Sequence, residues 1–141
     1  MGDGVYSWYM NDTQKQSVLV VEDEAPAALA LGDALEKEGF EVWRAEDGEA
    51  GLRLALEKHP DIMLVDLKLP KMGGMEMIRQ VREDAWGKDA RVIILTNVSD
   101  MESLEVAMKQ ETYYYLIKGD TDIADVVKAV RSQLAGKKKD I

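Results

Sequence analysis

The sequence predicts an α/β protein in which a parallel sheet carries helices on both faces. Five apolar runs have the length of a strand, helical patterns lie between them, and turn residues separate the two. The runs are SVLVV (17–21), FEVWRA (40–45), DIMLVD (61–66), RVIIL (91–95) and YYYLI (113–117). Most are almost continuously apolar, which is typical of strands buried on both faces. Since strands and helices alternate, we expect right-handed crossover connections in a doubly wound, single domain.

Five segments have the apolar periodicity of a helix. They cover residues 25–38, 48–58, 74–83, 100–109 and 122–134. The last has the clearest 3.6-residue stripe, formed by Ile123, Val126, Val127, Val130 and Leu134.

Residues at the boundaries agree with these helices. Gly39 follows the first helix, and His59 with Pro60 ends the second. Ser99 and Thr121 can cap the helices that they precede. His59 is the only histidine, and we expect it to be solvated.

Composition limits the classes of function. The length of 141 residues suits one domain, which we expect to cover residues 17–135. Residues 1–16 would form an N-terminal extension, which is a tag, a frayed end or a docking segment. Residues 136–141 would form a basic, solvated tail. The net charge of −9 argues against sequence-independent binding to nucleic acid and against binding to an anionic membrane. The chain has no cysteine, no transmembrane stretch and no signal peptide, so a cytoplasmic protein is expected.

Polar side chains stand where four of the predicted strands end, which is where ligands bind in an open α/β sheet. They are Glu22, Asp23, Glu24, Asp66, Thr96, Asn97 and Lys118. If the first and third strands are neighbours, Asp23 and Asp66 face each other with Glu22 nearby. Such a cluster must raise a pKa or bind a cation, and all-oxygen ligands favour Mg²⁺ or Mn²⁺.

A cation, a hydroxyl and an ammonium together suit a phosphoryl group. Asp66 beside them is a competent nucleophile that would form an acyl phosphate. Simpler interpretations remain for each residue alone: Asp66 could only terminate a strand, Glu22 to Glu24 could be a solvated helix start, and Lys118 could be a surface lysine.

Four motifs, VLVVEDE, LVDLKLPKMGG, IILTN and YYYLIKG, occur in an order and at a spacing that resemble the receiver domain of bacterial two-component response regulators. The resemblance covers about residues 17–135. It implies a flavodoxin-like (βα)5 fold with strand order 2-1-3-4-5.

The resemblance also implies roles for individual residues. Asp66 would accept a phosphoryl group from a phosphohistidine, and Asp23, Asp66 and the Lys68 carbonyl would bind Mg²⁺, with Glu22 acting mostly through water. Thr96 and Lys118 would each contact a phosphoryl oxygen. Thr96 and Tyr115 would form the switch, and the residues that tune phosphate lifetime would be Lys68, Asn97 and Val98.

The chain departs from the family pattern at several positions. Gly119 replaces the usual proline after Lys118, so we expect a trans bond there. Asn97 is larger than the usual residue, and Glu111 with Thr112 replaces Gly-Ala before the fifth strand.

The first functional hypothesis is a stand-alone phosphoacceptor switch rather than a turnover enzyme. Its expected partners are a sensor histidine kinase or phosphotransfer protein and an unknown protein target on the face formed by about residues 99–134. We expect a monomer or weak dimer, with no output domain after the last helix. One alternative is a scaffold that is not controlled by phosphorylation. Another is an aspartyl-phosphate phosphatase. The phosphatase is disfavoured because Lys68 occupies the position at which the haloacid dehalogenase family needs an Asp. A flavin-binding protein is disfavoured because the acidic loop would repel the flavin phosphate.

Overall fold

The computed structural model describes residues 15–97, 99 and 114–136. Its elements in chain order are β1 (Ser17–Val21), α1 (Ala25–Lys37), β2 (Glu41–Ala45), α2 (Gly48–Lys58), β3 (Ile62–Asp66), α3 (Gly74–Glu83), a 3-10 turn (Trp86–Asp89), β4 (Val92–Thr96), β5 (Tyr114–Ile117) and α4 (Ile123–Ala135). The five strands form one parallel sheet in the order β2-β1-β3-β4-β5. The predicted fold class and strand order are therefore confirmed.

The predicted boundaries agree closely with these elements. Each described strand starts within one residue of its predicted start, and the bounds predicted for α2 and α3 are those observed. The helix predicted at 100–109, the residue Val98 and both chain ends beyond 15 and 136 lie outside the described residues. Among the residues described, no helix combines the length and the apolar character that crossing a bilayer requires.

Among the described residues, the core consists of two apolar clusters, one on each face of the sheet. Alternate strand residues such as Leu19, Met63 and Ile94 pack with α2 and α3. Their neighbours, among them Val20 and Leu64, pack with α1 and α4 on the other face. Because both faces are covered, β1, β3 and β4 are buried along their whole length. This burial explains the continuous apolar runs. The parallel pairing of the strands brings their carboxyl ends to one edge of the sheet.

The start of α4 differs from the prediction. Asp122, not Thr121, caps the helix, because its side chain accepts a hydrogen bond from the Asp125 backbone N–H at 2.9 Å. Thr121 instead pairs with Lys118 in an isolated parallel bridge, which holds its backbone outside the helix. Ile123 is 40% exposed and does not join the buried stripe, since it occupies the first turn at the rim.

His59 has a more specific environment than simple solvation. It is exposed and ends α2 in the left-handed conformation, at a φ of 50°. One face of its ring is stacked on Trp86, with ring centroids 4.5 Å apart and planes 9° apart. His59 is therefore exposed as expected, and its stacking on Trp86 is a contact that the sequence did not predict.

Candidate functional site

Three carboxylates meet at the carboxyl ends of β1 and β3. These strands are neighbours, with Val21 paired to Val65, so the residues that follow come to the same edge. One oxygen from each of Glu22, Asp23 and Asp66 lies within 4.8 Å of the others. Glu22 and Asp66 are buried, whereas Asp23 is exposed. The prediction that Asp23 and Asp66 face each other is confirmed.

Lys118 supplies the opposite charge. Its ammonium lies 2.7 Å from Asp66 Oδ2, 2.8 Å from Glu22 Oε1 and 3.8 Å from Glu24 Oε1. The contact with Asp66 is a directed hydrogen bond, while that with Glu22 is an ion pair. The Lys118 backbone N–H donates to the Thr96 carbonyl at 2.7 Å, which anchors the residue just past the end of β5. The end of β5 thus places the Lys118 ammonium beside the carboxylates of Glu22 and Asp66.

The pKa values of this group reflect burial opposed by pairing. Removal from water raises the pKa of Glu22, and the charge of Asp66 adds to this, although the Lys118 ammonium and the Glu24 N–H oppose it. Burial alone would lower the pKa of Lys118. Its close contacts with the carboxylates of Asp66 and Glu22 outweigh that cost, so the pKa of Lys118 lies above its ordinary value. Lys118 therefore stays an ammonium at neutral pH.

Thr96 ends β4 next to Asp66. It is fully buried, and the register pairs Asp66 with Leu95, the residue before it. Its hydroxyl donates to the Asn97 carbonyl at 3.1 Å, so donation to a phosphoryl oxygen requires that this hydrogen be redirected. Asn97 itself is exposed.

Tyr115 lies two positions before the end of β5, opposite Ile94. It is partly buried and packs against the cluster that α2 and α3 cover. Lys118 is followed by Gly119 at a φ of 93°, and the backbone of the described residues contains no cis peptide bond. The predicted trans bond after Lys118 is confirmed.

The loop after β3 is folded back on the strand that carries Asp66. The Leu67 N–H donates to the Leu95 carbonyl at 3.1 Å, and the Lys68 N–H donates to Asp66 Oδ1 at 3.3 Å. The Gly74 N–H then donates to the Leu67 carbonyl at 2.9 Å, which closes the loop. A Cβ on Gly74 would overlap the Asp66 carbonyl oxygen, so this close return requires glycine.

The sequence did not single out two residues that contact this loop, Asp47 and Gly48. Asp47 caps α2 and its carboxylate lies 3.7 Å from the Lys71 ammonium. Gly48 packs against the backbone of residue 72. An Asp before a helical pattern indicates a cap, and its place just after the second strand puts it at the carboxyl edge of the sheet. Its contact with the loop after β3 does not follow from either signal.

The donor set fits a hard divalent cation. Three carboxylates offer oxygen ligands within reach of one ion, and no nitrogen or sulfur ligand lies among them. Mg²⁺ prefers such ligands and keeps part of its coordination sphere for water or phosphate oxygens. The buried Glu22 and Asp66 share one ammonium, so the cluster retains negative charge for a cation to neutralise.

Comparison with known proteins identifies the family. The family model of the response regulator receiver domain matches residues 18–131. The chain is 32% identical to protein PilH of Pseudomonas aeruginosa over 119 residues, which is 84% of this chain and 98% of PilH. It is also 30% identical over 125 residues to the regulatory protein AtoC of Escherichia coli, covering 88% of this chain but only 27% of that longer protein.

The structure gives the same result. The chain superposes on the crystal structure of a response regulator receiver domain protein from Clostridium thermocellum with a TM-score of 0.76 and 30% identity, covering 85% of this chain and 94% of the other. A family match over most of the chain, a relative aligned over nearly its whole length and a shared fold lead to one conclusion. The chain belongs to the response regulator receiver domains, the phosphoacceptor switches of two-component signalling.

Proposed function

We propose that Asp66 is the phosphoacceptor and takes its phosphoryl group from a phosphohistidine of a sensor histidine kinase or phosphotransfer protein. The observation that carries this assignment is the contact between the Lys118 ammonium and Asp66 Oδ2 at 2.7 Å, beside Glu22 and Asp23. Asp66 is buried at the end of β3, yet it lies at the carboxyl ends of the strands, where a phosphoryl donor can approach.

Receiver domains bind Mg²⁺ in an acidic site, and this chain has such a cluster. Glu22, Asp23, Asp66 and the Lys68 backbone carbonyl would hold the ion, with Glu22 acting mostly through water. Mn²⁺ would serve as well, because it accepts the same oxygen ligands. When bound, the ion would offset the negative charge of the phosphoryl oxygens as Asp66 approaches them.

The chain's own groups divide the remaining work. An Asp66 carboxylate oxygen attacks phosphorus, the P–N bond of the donor breaks, and the imidazole leaves with the electron pair. Lys118, kept charged by its carboxylate partners, moves its ammonium to a phosphoryl oxygen. Thr96 turns its hydroxyl from the Asn97 carbonyl to another phosphoryl oxygen.

The movement of Thr96 would be passed on through Tyr115. Its ring lies one strand away, partly buried, and would fill space that Thr96 leaves. The side chains of Lys68, Asn97 and Val98 would set how long the phosphoryl group survives. The resulting change would alter the face formed by about residues 99–134 for a downstream protein target.

The proposed setting is a cytoplasmic switch that acts as a monomer or weak dimer and does not turn over a substrate as an enzyme. The net charge of −9 supports a protein partner over nucleic acid or an anionic membrane. The phosphorylation-independent scaffold is not favoured, because Asp66, Thr96 and Lys118 are assembled together with the acidic cluster. A phosphatase is disfavoured because Lys68 occupies the position of the required acid.

Incubation with a small phosphodonor and Mg²⁺ tests the assignment. We expect the mass to increase by one phosphoryl group, and Asp66→Asn to abolish the increase. The matched control is Asp61→Asn at the other end of β3, where the side chain accepts a hydrogen bond from the Ser17 N–H at 2.7 Å; this variant should be labelled like the parent. Full labelling of Asp66→Asn would refute the assignment.

A further inference from the structure

Asp47 and Gly48 contact the loop that carries Lys68. They follow β2, whose last residue, Ala45, pairs with Val21 at the end of β1. The Gly48 N–H lies 3.4 Å from the Pro70 carbonyl oxygen, which also accepts a hydrogen bond from the Met72 N–H at 2.7 Å. Asp47 Oδ2 lies 3.7 Å from the Lys71 ammonium. The amino end of α2 therefore touches three successive residues of the loop.

The approach of α2 is too close for a side chain. A Cβ on Gly48 would overlap the Met72 carbonyl oxygen and leave no room for the loop backbone. Backbone is the neighbour here, so it cannot swing aside as a flexible side chain would. Residue 48 thus fixes how near the loop can lie to the helix.

Lys71 shows that the loop adopts a conformation which needs support. It has a φ of 68°, in the left-handed region that non-glycine residues avoid. Its ammonium lies near Asp47, and Asp47 is held in turn because its other oxygen accepts the Ala50 N–H at 2.7 Å. The cap of α2 therefore also stabilises the strained residue of the loop.

The Lys68 carbonyl lies between two fixed points of this loop. On one side the Leu67 carbonyl accepts the Gly74 N–H at 2.9 Å, and on the other the Pro70 carbonyl faces Gly48. Groups that orient a metal ligand from outside the ligand sphere commonly change metal affinity 10- to 100-fold when they are replaced. A shift of the loop at Pro70 would move the Lys68 carbonyl.

We infer that Asp47 and Gly48 are positioning residues for the Mg²⁺ site, because they fix the loop that presents the Lys68 carbonyl. The inference rests on the proposed function, in which that carbonyl is a metal ligand. It adds a second segment of the chain, at the amino end of α2, to the residues that determine metal affinity.

The test measures the Mg²⁺ dissociation constant by calorimetric titration and the thermal midpoint of the metal-free protein for each variant. We expect Gly48→Ala to weaken Mg²⁺ binding by about tenfold. The matched control is Gly87→Ala, near the amino end of β4, where a Cβ would likewise overlap a backbone carbonyl oxygen, that of Val81. This control should lower the thermal midpoint but leave Mg²⁺ affinity within about twofold.

A milder variant keeps the test decisive if Gly48→Ala does not fold. Asp47→Asn retains a capping side chain but loses the charge contact with Lys71, so we expect Mg²⁺ binding to weaken about two- to fivefold. Asp33→Asn, which removes the same charge from the surface pair with Arg44 at 3.5 Å, is its control. Parent-like Mg²⁺ affinity in Asp47→Asn and in every folded Gly48 variant would overturn the inference. A parent protein that does not bind Mg²⁺ would overturn the proposed function itself.

Discussion

Lys118 holds its ammonium between Asp66 and Glu22, at 2.7 and 2.8 Å from one oxygen of each. The same two carboxylates belong to the acidic cluster that could hold a divalent cation, so the ammonium and the cation would repel each other. Two unit charges 4 Å apart interact with about 1 kcal/mol even in bulk water, and with more near a protein surface. The lysine that we propose to assist phosphoryl transfer would therefore oppose metal binding before the transfer.

Lys118→Met should bind Mg²⁺ at least about fivefold more tightly than the parent, since about 1 kcal/mol of repulsion is removed. The same variant should be phosphorylated more slowly, because a phosphoryl oxygen loses its ammonium partner. Titration of Mg²⁺ and the rate of labelling by a small phosphodonor measure the two effects. Lys128→Met on the exposed face of α4 removes the same charge and should change neither. Weaker Mg²⁺ binding in Lys118→Met would contradict the competition.

The positions of single residues were predictable only in part. The residues after parallel strands must meet at one edge, so the proximity of Asp23, Asp66 and Lys118 follows from the order of the strands. The direct contact of Glu22 with Lys118 does not follow. It depends on the turn after β1, where the Glu24 N–H donates to Glu22 Oε2 at 3.1 Å and directs that carboxylate inward.

At the scale of elements, α4 begins with two reciprocal hydrogen bonds. The Asp125 N–H donates to the Asp122 side chain, and the Asp122 N–H donates to that of Asp125. Asp122→Ala should lower the free energy of unfolding by about 1 kcal/mol, whereas Thr121→Ala should have a smaller effect. Urea denaturation of both variants measures this. A larger loss in Thr121→Ala would restore Thr121 as the cap.

The cap of α2 should make stability depend on pH. The Ala50 N–H bonded to Asp47 holds the pKa of that carboxyl below its usual range, and the charge of Lys71 adds to this. A lowered pKa in the folded state means that the stabilisation is present above the unfolded-state pKa, about 4. It is lost as pH falls through the folded-state value.

Thermal midpoints of the parent and Asp47→Asn, measured without metal, test this dependence. The parent should be more stable at pH 7, and the difference should shrink steadily below about pH 4 as Asp47 is protonated. Asp33→Asn, at an exposed surface pair, is a suitable control. A difference that stayed constant between pH 7 and pH 2.5 would contradict a contribution from the Asp47 charge.

The elements themselves were more predictable than the loops between them. Apolar runs and 3.6-residue stripes depend on which side chains are buried, and burial here follows a simple two-faced sheet. The loop after β3 depends on a left-handed Lys71 and on contact with Gly48. Lysine gives no sequence signal for that conformation, and the contact joins segments that are distant in the chain.

At the scale of the whole molecule, the acidic site should link metal binding to stability. Three carboxylates near one ammonium repel one another in the metal-free protein. A ligand that binds only the folded state stabilises it by about 2.7 kcal/mol when its concentration is a hundred times its dissociation constant. Mg²⁺ at that level should raise the thermal midpoint by several degrees.

Asp23→Asn provides the comparison for this stabilisation. It removes one proposed ligand and one charge, so the metal-free variant should be at least as stable as the parent, while the rise caused by Mg²⁺ should shrink. NaCl at equal ionic strength controls for general screening. An equal rise in NaCl, or an undiminished rise with Mg²⁺ in Asp23→Asn, would place the effect outside the site.

The four charged side chains of the site also limit how much the electrostatic potential at a distant binding surface can differ between the two states of the protein. Three carboxylates and one ammonium sum to about −2, which one Mg²⁺ brings to about zero. The proposed phosphorylation would replace the single charge of Asp66 by about two on the phosphoryl group, so the charge of the metal-loaded site would change by only about one unit. The chain has a net charge of −9, and salt screens the field of a single charge within about 8 Å, so this change alters the electrostatic potential at a distant surface only slightly. The two states must therefore be distinguished mainly by the shape of the surface.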